Sequence, residues 1–395
     1  MIIKNAKVVM DDAILEIDVS IKRGKIDRIS KNLNGSESID AKGKYLLPAM
    51  IDIGINAMDF KLGGGAIDRL SCKAKSNGFS TIVLSSFSNP KIDDEITLEF
   101  VKSQAKLCNG AKVLTLISGI KEEGKLSDIS ILLKDGAIGI EFDSSIDGNM
   151  IRRLMEYASM YDVKLFCHAK DLALIGEGVI NEGVVSNQLG LVGVPEVAES
   201  SQVARIGELA LAYGVDVVIL SASTPRTLEL CAKNPRLYAQ TSIHHLLLND
   251  ELCKNYNTSG KIWPPLRDEE SRLKMVEFLR NDHLETLTSL HTPVSDSLKD
   301  AVFAEAAYGI DGLNSFLPLA FTYLVKPKII DMPTLSKLTS KNCAKLLGLD
   351  EHKGSIKEGY DADLILFDPS IKSSIDLPNS PYNGWVVEGK VEKIF

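Results

Sequence analysis

The chain has 395 residues, 45 Lys and Arg against 53 Asp and Glu for a net charge of −8, 45% hydrophobic residues and 6% aromatic ones. This is a globular composition, and the acidic balance with no basic cluster excludes a nucleic-acid surface, which needs a Lys/Arg excess on at least one face. No run of about 18 apolar residues occurs, and Met1-Ile2-Ile3-Lys4-Asn5-Ala6 lacks a basic region followed by an apolar stretch, so neither a membrane span nor a secretory leader is predicted, and the expected location is cytoplasmic.

In chain order, residues 2–10, 13–21, 25–29 and 45–47 read as short strands with glycine-centred turns. From residue 66 onward the pattern changes to apolar strands alternating with amphipathic helices. Strands are predicted at 81–84, 112–117, 137–140, 164–167, 216–220, 236–240 and 285–288; helices are predicted at 66–77, 95–107, 149–161, 200–213, 224–234, 269–281 and 314–324. Repeated βα units of this kind predict an α/β fold, a (β/α)8 TIM-type barrel with one further unit before residue 66. The last forty residues return to the style of the first, with strands at 362–367 and 385–387. The expected organisation is therefore a small β domain from both chain ends, residues 1–48 and 349–395, around a barrel at 49–348.

Six cysteines, Cys72, Cys108, Cys167, Cys231, Cys253 and Cys343, show no CxxC pair and read as reduced thiols. Six histidines limit any metal site, because a binuclear hydrolase would spend almost all of them at once. Cys167 and His168 are adjacent strand residues that point to opposite faces and cannot act as nucleophile and base. Gly63-Gly64-Gly65 lacks the GK[ST] ending of a phosphate loop and reads as a mobile loop.

Several strings carry a resemblance: Pro48-Ala49-Met50-Ile51-Asp52, Gly78-Phe79-Ser80-Thr81, His244-His245-Leu246-Leu247, Pro264-Pro265-Leu266-Arg267, Gly309-Ile310-Asp311-Gly312-Leu313 and Asp361-Ala362-Asp363-Leu364. In order and spacing they resemble the dihydroorotases of the amidohydrolase superfamily over nearly the whole chain. The resemblance implies the metal-dependent hydrolase barrel. It also implies Zn²⁺-assisted opening or closure of the cyclic amide of dihydroorotate, with a carboxylate shuttling the proton.

Position by position, the resemblance places the family's ligands on residues that cannot serve. The His-x-His pair falls on Gly54 and Asn56, the bridging carboxylate on Phe142 with Glu141 and Asp143 as neighbours, a further His on Ser221, and the catalytic Asp on Leu290. Only His168 stands at a family ligand position, with His291 beside the lost Asp. The substrate-recognition positions fall on Met58, Phe87, Trp263 and Val294, and a thioether in place of a guanidinium removes the anion partner. One imidazole cannot hold zinc, so no catalytic, substrate-binding or metal set and no cofactor is expected, and His168, His244 and His245 read as hydrogen-bonding residues.

The expected function is that of an inactive dihydroorotase-like protein of pyrimidine biosynthesis. By analogy with metal-ligand-deficient members of the family, its implied partner is aspartate carbamoyltransferase, and by symmetry base rates it is expected to be a homodimer. The alternative is an active cyclic-amide hydrolase, a dihydroorotase, hydantoinase or allantoinase. It would hold zinc through unconventional ligands drawn from Asp52, Glu141, Asp143, His168, His244 and His291. A third reading is a small-molecule sensor with an apolar pocket of Met58, Phe87, Phe142, Trp263, Leu290 and Val294.

Overall fold

The computed structural model describes residues 1–35, 37–63 and 65–395. Alternating apolar residues along β1 (Ile2–Val9) bury Ile3, Ala6 and Val8 against Val19 and Ile26 from β2 (Ile14–Lys22) and β3 (Lys25–Ser30). β1 pairs antiparallel with β2 and parallel with both β4 (Ser38–Asp40) and β5 (Tyr45–Pro48).

The chain then enters the barrel through β6 (Met50–Ile55), the unit expected before residue 66. β7 (Phe79–Leu84) and β8 (Lys112–Thr115) continue a parallel run from it. A second run contains β9 (Ile117–Ser118), β10 (Ile140–Asp143) and β11 (Leu165–His168). After an excursion carrying the paired β12 (Ile180–Asn181) and β13 (Gly193–Val194), the run is completed by β14 (Val217–Ile219), β15 (Leu237–Ser242) and β16 (Thr286–Thr288). β8 and β9 are the halves of the predicted strand 112–117, interrupted at Leu116. Counting them as one gives eight staves among the described residues.

Side-chain alternation sorts the barrel into two layers. Ile51, Ile53, Val83, Leu116, Phe166, Val218 and Leu220 fill the interior, floored by Cys343, Ala344 and Leu346 from the helix Asn342–Leu346. Ile140, Phe142, Leu165, Cys167, Val217 and Ile219 face outward onto helices such as Gly148–Tyr161 and Val197–Tyr213. These helices start where the sequence caps them: Asp94, Asp147, Thr224 and Asp268 each accept a backbone N–H of the first turn. The helix Val197–Tyr213 ends at Gly214, whose φ of 67° suits the left-handed cap.

The last two strands, β17 (Leu364–Ser374) and β18 (Val386–Ile394), rejoin the first sheet in the order β18-β17-β5-β1-β2-β3. A sheet built from both chain ends thus flanks the barrel. Between β17 and β18 a segment crosses to the barrel, where Tyr382 is buried. Among the described residues no helix is long and apolar enough to cross a membrane.

One difference from the predicted elements changes the site. The strand expected at 137–140 lies at 140–143, where the polar residues Glu141 and Asp143 continue it beyond the apolar run, and Gly139 before it leaves no room for a Cβ beside the Phe166 ring.

Candidate functional site

In a barrel of this kind the groups that can act chemically stand at the C-terminal ends of the staves. At the first stave, Gly54 takes a φ of 82° at a register shift between Ile53 and Ile55. Two residues on, the Asn56 backbone N–H donates to His291 O at 2.9 Å, and its side-chain Oδ1 is buried with no hydrogen-bond partner among the described residues. Ser221 and Leu290, at the ends of β14 and β16, are buried in left-handed conformations with φ of 55° and 48°. A bulky side chain there costs on the order of 1 kcal/mol of backbone strain.

The placement of Phe142 is corrected by the strand register. Phe142 is paired with Cys167, and both face the helix layer, so its ring is part of the outer core and does not line the mouth. The inward position belongs to Glu141, paired with Phe166. Its carboxylate is fully buried and saturated. Ser85 Oγ donates at 2.9 Å, Ser86 Oγ at 2.7 Å, the Ser86 backbone N–H donates to the same oxygen, and His168 Nε2 lies at 2.7 Å. Burial alone would raise the Glu141 pKa, but the His168 and Ser86 contacts outweigh it and hold the carboxyl below the ordinary glutamate range. Asp143, level with His168 on the next stave, is engaged by Lys170 Nζ at 2.6 Å and by the Ser145 N–H at 2.9 Å. Phe87 packs on His168 with ring centroids 5.2 Å apart.

The other candidate ligands are tied elsewhere. Asp52 joins the first stave to the last, accepting from Thr288 Oγ1 at 2.6 Å and from the N–H and hydroxyl of Ser289; burial pushes its pKa up to about 6 despite these donors. His244 donates from Nε2 to Ser289 O and accepts at Nδ1 from the Tyr382 hydroxyl, both at 2.8 Å. His245 donates to Pro264 O and accepts from Ser242 Oγ. Burial lowers their pKa values to about 4 and about 3, so both are neutral hydrogen-bonding groups of the turn into the helix Ile243–Leu247, as expected. His291 Nδ1 lies 3.2 Å from Asp311 Oδ1 without hydrogen-bond alignment, and burial lowers the His291 pKa, so Asp311 takes its counter-charge from Lys73.

The apolar positions do not form one pocket. Met58 and Val294 share a cavity of about 320 Å³ with Ile310, Asp311, Lys299 and the 377–380 segment. Trp263 instead packs edge-on against Tyr308, and Leu290 is buried. Gly64 lies outside the described residues; Gly65 precedes the helix Ala66–Ser76. Sequence reasoning missed Ser85, Ser86 and Lys170. Ser85-Ser86 directly after the apolar Ile82-Val83-Leu84, and Lys170 two residues after His168, were the available signals.

These residues do not fit the metal that the fold implies. Glu141 has spent its lone pairs on protein donors and Asp143 is held by an ammonium. Where the resemblance puts the His-x-His pair, the buried atom without a hydrogen-bond partner among the described residues is the neutral amide oxygen of Asn56, a poor partner for zinc, which takes Cys, His and carboxylate ligands. Among the described residues no group of three or more His, Cys, Asp and Glu is arranged to hold a metal ion.

Comparison with known proteins finds the amidohydrolase family profile over residues 116–395. Among curated relatives, the dihydroorotase of Thermoanaerobacter sp. (strain X514) is 32% identical over 416 aligned positions, covering 99% of this chain and 95% of the relative. That of Caldanaerobacter subterraneus subsp. tengcongensis is 31% identical, covering 95% and 90%. Among solved structures, the L-hydantoinase (dihydropyrimidinase) of Arthrobacter aurescens superposes with a TM-score of 0.86 at 22% identity, covering 100% of this chain and 94% of its own, a likeness of fold.

Proposed function

The chain belongs to the dihydroorotase branch of the amidohydrolase family, and on that premise we propose that it is a catalytically inactive member that acts as a structural or regulatory partner of aspartate carbamoyltransferase. The observation that carries the first half is Glu141: the carboxylate facing the barrel interior is held by Ser85, Ser86 and His168, as a structural buried acid is. Around it Gly54, Ser221 and Leu290 offer neither imidazole nor carboxylate. The second half is supported by family analogy and by the contrast between a retained barrel and a dispersed donor set.

The test is elemental analysis of the protein purified without chelator, beside gel filtration with the aspartate carbamoyltransferase of the same cell. The reading predicts less than about 0.1 metal per chain and co-elution of the two proteins. Stoichiometric metal would overturn inactivity in favour of a cyclic-amide hydrolase with unconventional ligands. Separate elution, with full activity of the transferase alone, would overturn the partnership.

A further inference from the structure

We infer that the barrel-mouth rim built by the segments after β11, β15 and β16 is a docking face for a protein partner that presents a basic and apolar surface. The inference rests on the partner reading above and adds to it where contact is made.

The three segments form one packed plate. Ile180 and Val185 from the first, Cys253 from the second and Phe303 from the third make a buried cluster of their own, separate from the barrel core. The Tyr256 hydroxyl donates to Leu189 O at 2.9 Å, and Lys299 Nζ donates to Thr258 O and Lys261 O at 3.1 and 2.7 Å. Beside this packed interior the three segments carry exposed apolar side chains. Leu172, Val184, Val192, Tyr256, Leu298 and Val302 are between 45% and 69% exposed. Scattered apolar side chains need no explanation, whereas a set concentrated on one packed layer marks a contact surface.

The charge around this face selects the partner. The segment after β11 holds one basic residue, Lys170, paired with Asp143, and beyond it residues 172–197 contain Glu177, Glu182 and Glu196 and no Lys or Arg. The third segment adds exposed Asp296, Asp300 and Glu305. Its one lysine, Lys299, turns its ammonium inward, and Lys254 of the second segment is paired with Glu251. A second copy of this chain would bring the same acidic rim against itself, which like-charge repulsion disfavours; a basic and apolar face is the complement.

The test is a binding titration of the full-length chain with purified aspartate carbamoyltransferase of the same cell. It compares wild type with a rim variant (Val184→Glu with Val302→Glu), a charge-reversed rim variant (Glu182→Lys with Asp300→Lys) and a wall control. The control, Ile96→Glu with Leu107→Glu, lies on the exposed face of the helix Glu95–Leu107. All substituted side chains are exposed, and the two rim variants are chemically independent, so a folding defect in one leaves the other to decide. The expected result is a loss of roughly 30-fold or more in affinity for the apolar rim variant. The charge-reversed variant should bind more weakly with reduced salt dependence, and the wall control should be unchanged. Loss in the wall control with intact binding by the rim variants would overturn the docking face while leaving the partnership standing. No binding by wild type would overturn the partnership and this use of the rim together. A homodimer that dissociates on rim substitution would show the rim to be a self-contact and overturn the inference.

Discussion

At the scale of single residues, Glu141 and Phe142 divide the roles that the family resemblance placed on Phe142 with Glu141 beside it. Phe142 sits in the outer core at 1% exposure. Phe142→Ala should therefore cost about 3–5 kcal/mol in urea unfolding, as for a buried aromatic, where a mouth-lining ring would cost far less. Glu141→Gln replaces an acceptor oxygen by a donor amide facing Ser86 and should cost roughly 1–3 kcal/mol by the same measurement, through donors left without an acceptor. The buried histidines give the stability a pH signature. His244 and His245 have folded pKa values of about 4 and about 3, below the unfolded value of 6.5, so as pH falls below 6.5 the unfolded state binds protons that the native state refuses. The lowered carboxyls of Glu141 and Asp311 act in the same direction at lower pH. Asp52, raised to about 6, acts oppositely, its contribution declining as pH rises through 4 to 6. The expected outcome is declining stability from pH 6.5 to 4, with His244→Gln reducing the slope by up to about 1.4 kcal/mol per pH unit. An unchanged slope would contradict a neutral His244. At this scale the identity of each family position was legible, but the side of the strand it occupies was not: only pairing Phe142 with Cys167 and Glu141 with Phe166 decides which residue faces the interior.

At the scale of elements, the closing edge between the first and last staves depends on a side chain. Asp52 accepts from Thr288 and Ser289 where β6 and β16 meet, and Asn56 adds one backbone bond to His291. Removing the acceptor in Asp52→Ala should destabilise by about 2–4 kcal/mol and raise hydrogen exchange along β6 and β16 first. The segment between β17 and β18 is anchored on the barrel by Tyr382, which donates to His244 and packs edge-on against Trp385. Tyr382→Ala should raise exchange over residues 375–385 while leaving the far sheet edge at β3 protected; uniform change would contradict a local anchor. Helix positions such as Glu95–Leu107 were legible from periodicity. Short, polar-ended staves such as β10, and the 172–194 excursion with its two-residue strands, were not, because tertiary pairing rather than local pattern sustains them.

At the scale of the whole molecule, the proposed reading separates a retained framework from its chemistry. The eight staves, the interior packing and the sheet from both chain ends follow the family architecture, and protein donors engage both Glu141, through Ser85, Ser86 and His168, and Asp143, through Lys170. On the proposed reading the barrel needs no ion to fold, so its unfolding midpoint should be the same in excess chelator as in added zinc; a large zinc-dependent rise would show a site that binds the native state. The family fold was legible because strings such as Pro264-Pro265-Leu266-Arg267 belong to the framework: Arg267 is buried against Asn181 and Ser223. The mouth was legible only position by position, since the groups that engage Glu141 and Asp143, namely Ser85, Ser86 and Lys170, come from elsewhere in the chain. The most direct measurement is ring opening of dihydroorotate by the purified protein after equilibration with excess zinc, compared with a chelated sample. Rates equal to the enzyme-free background in both samples are predicted, and zinc-dependent turnover abolished by the chelator would contradict the account.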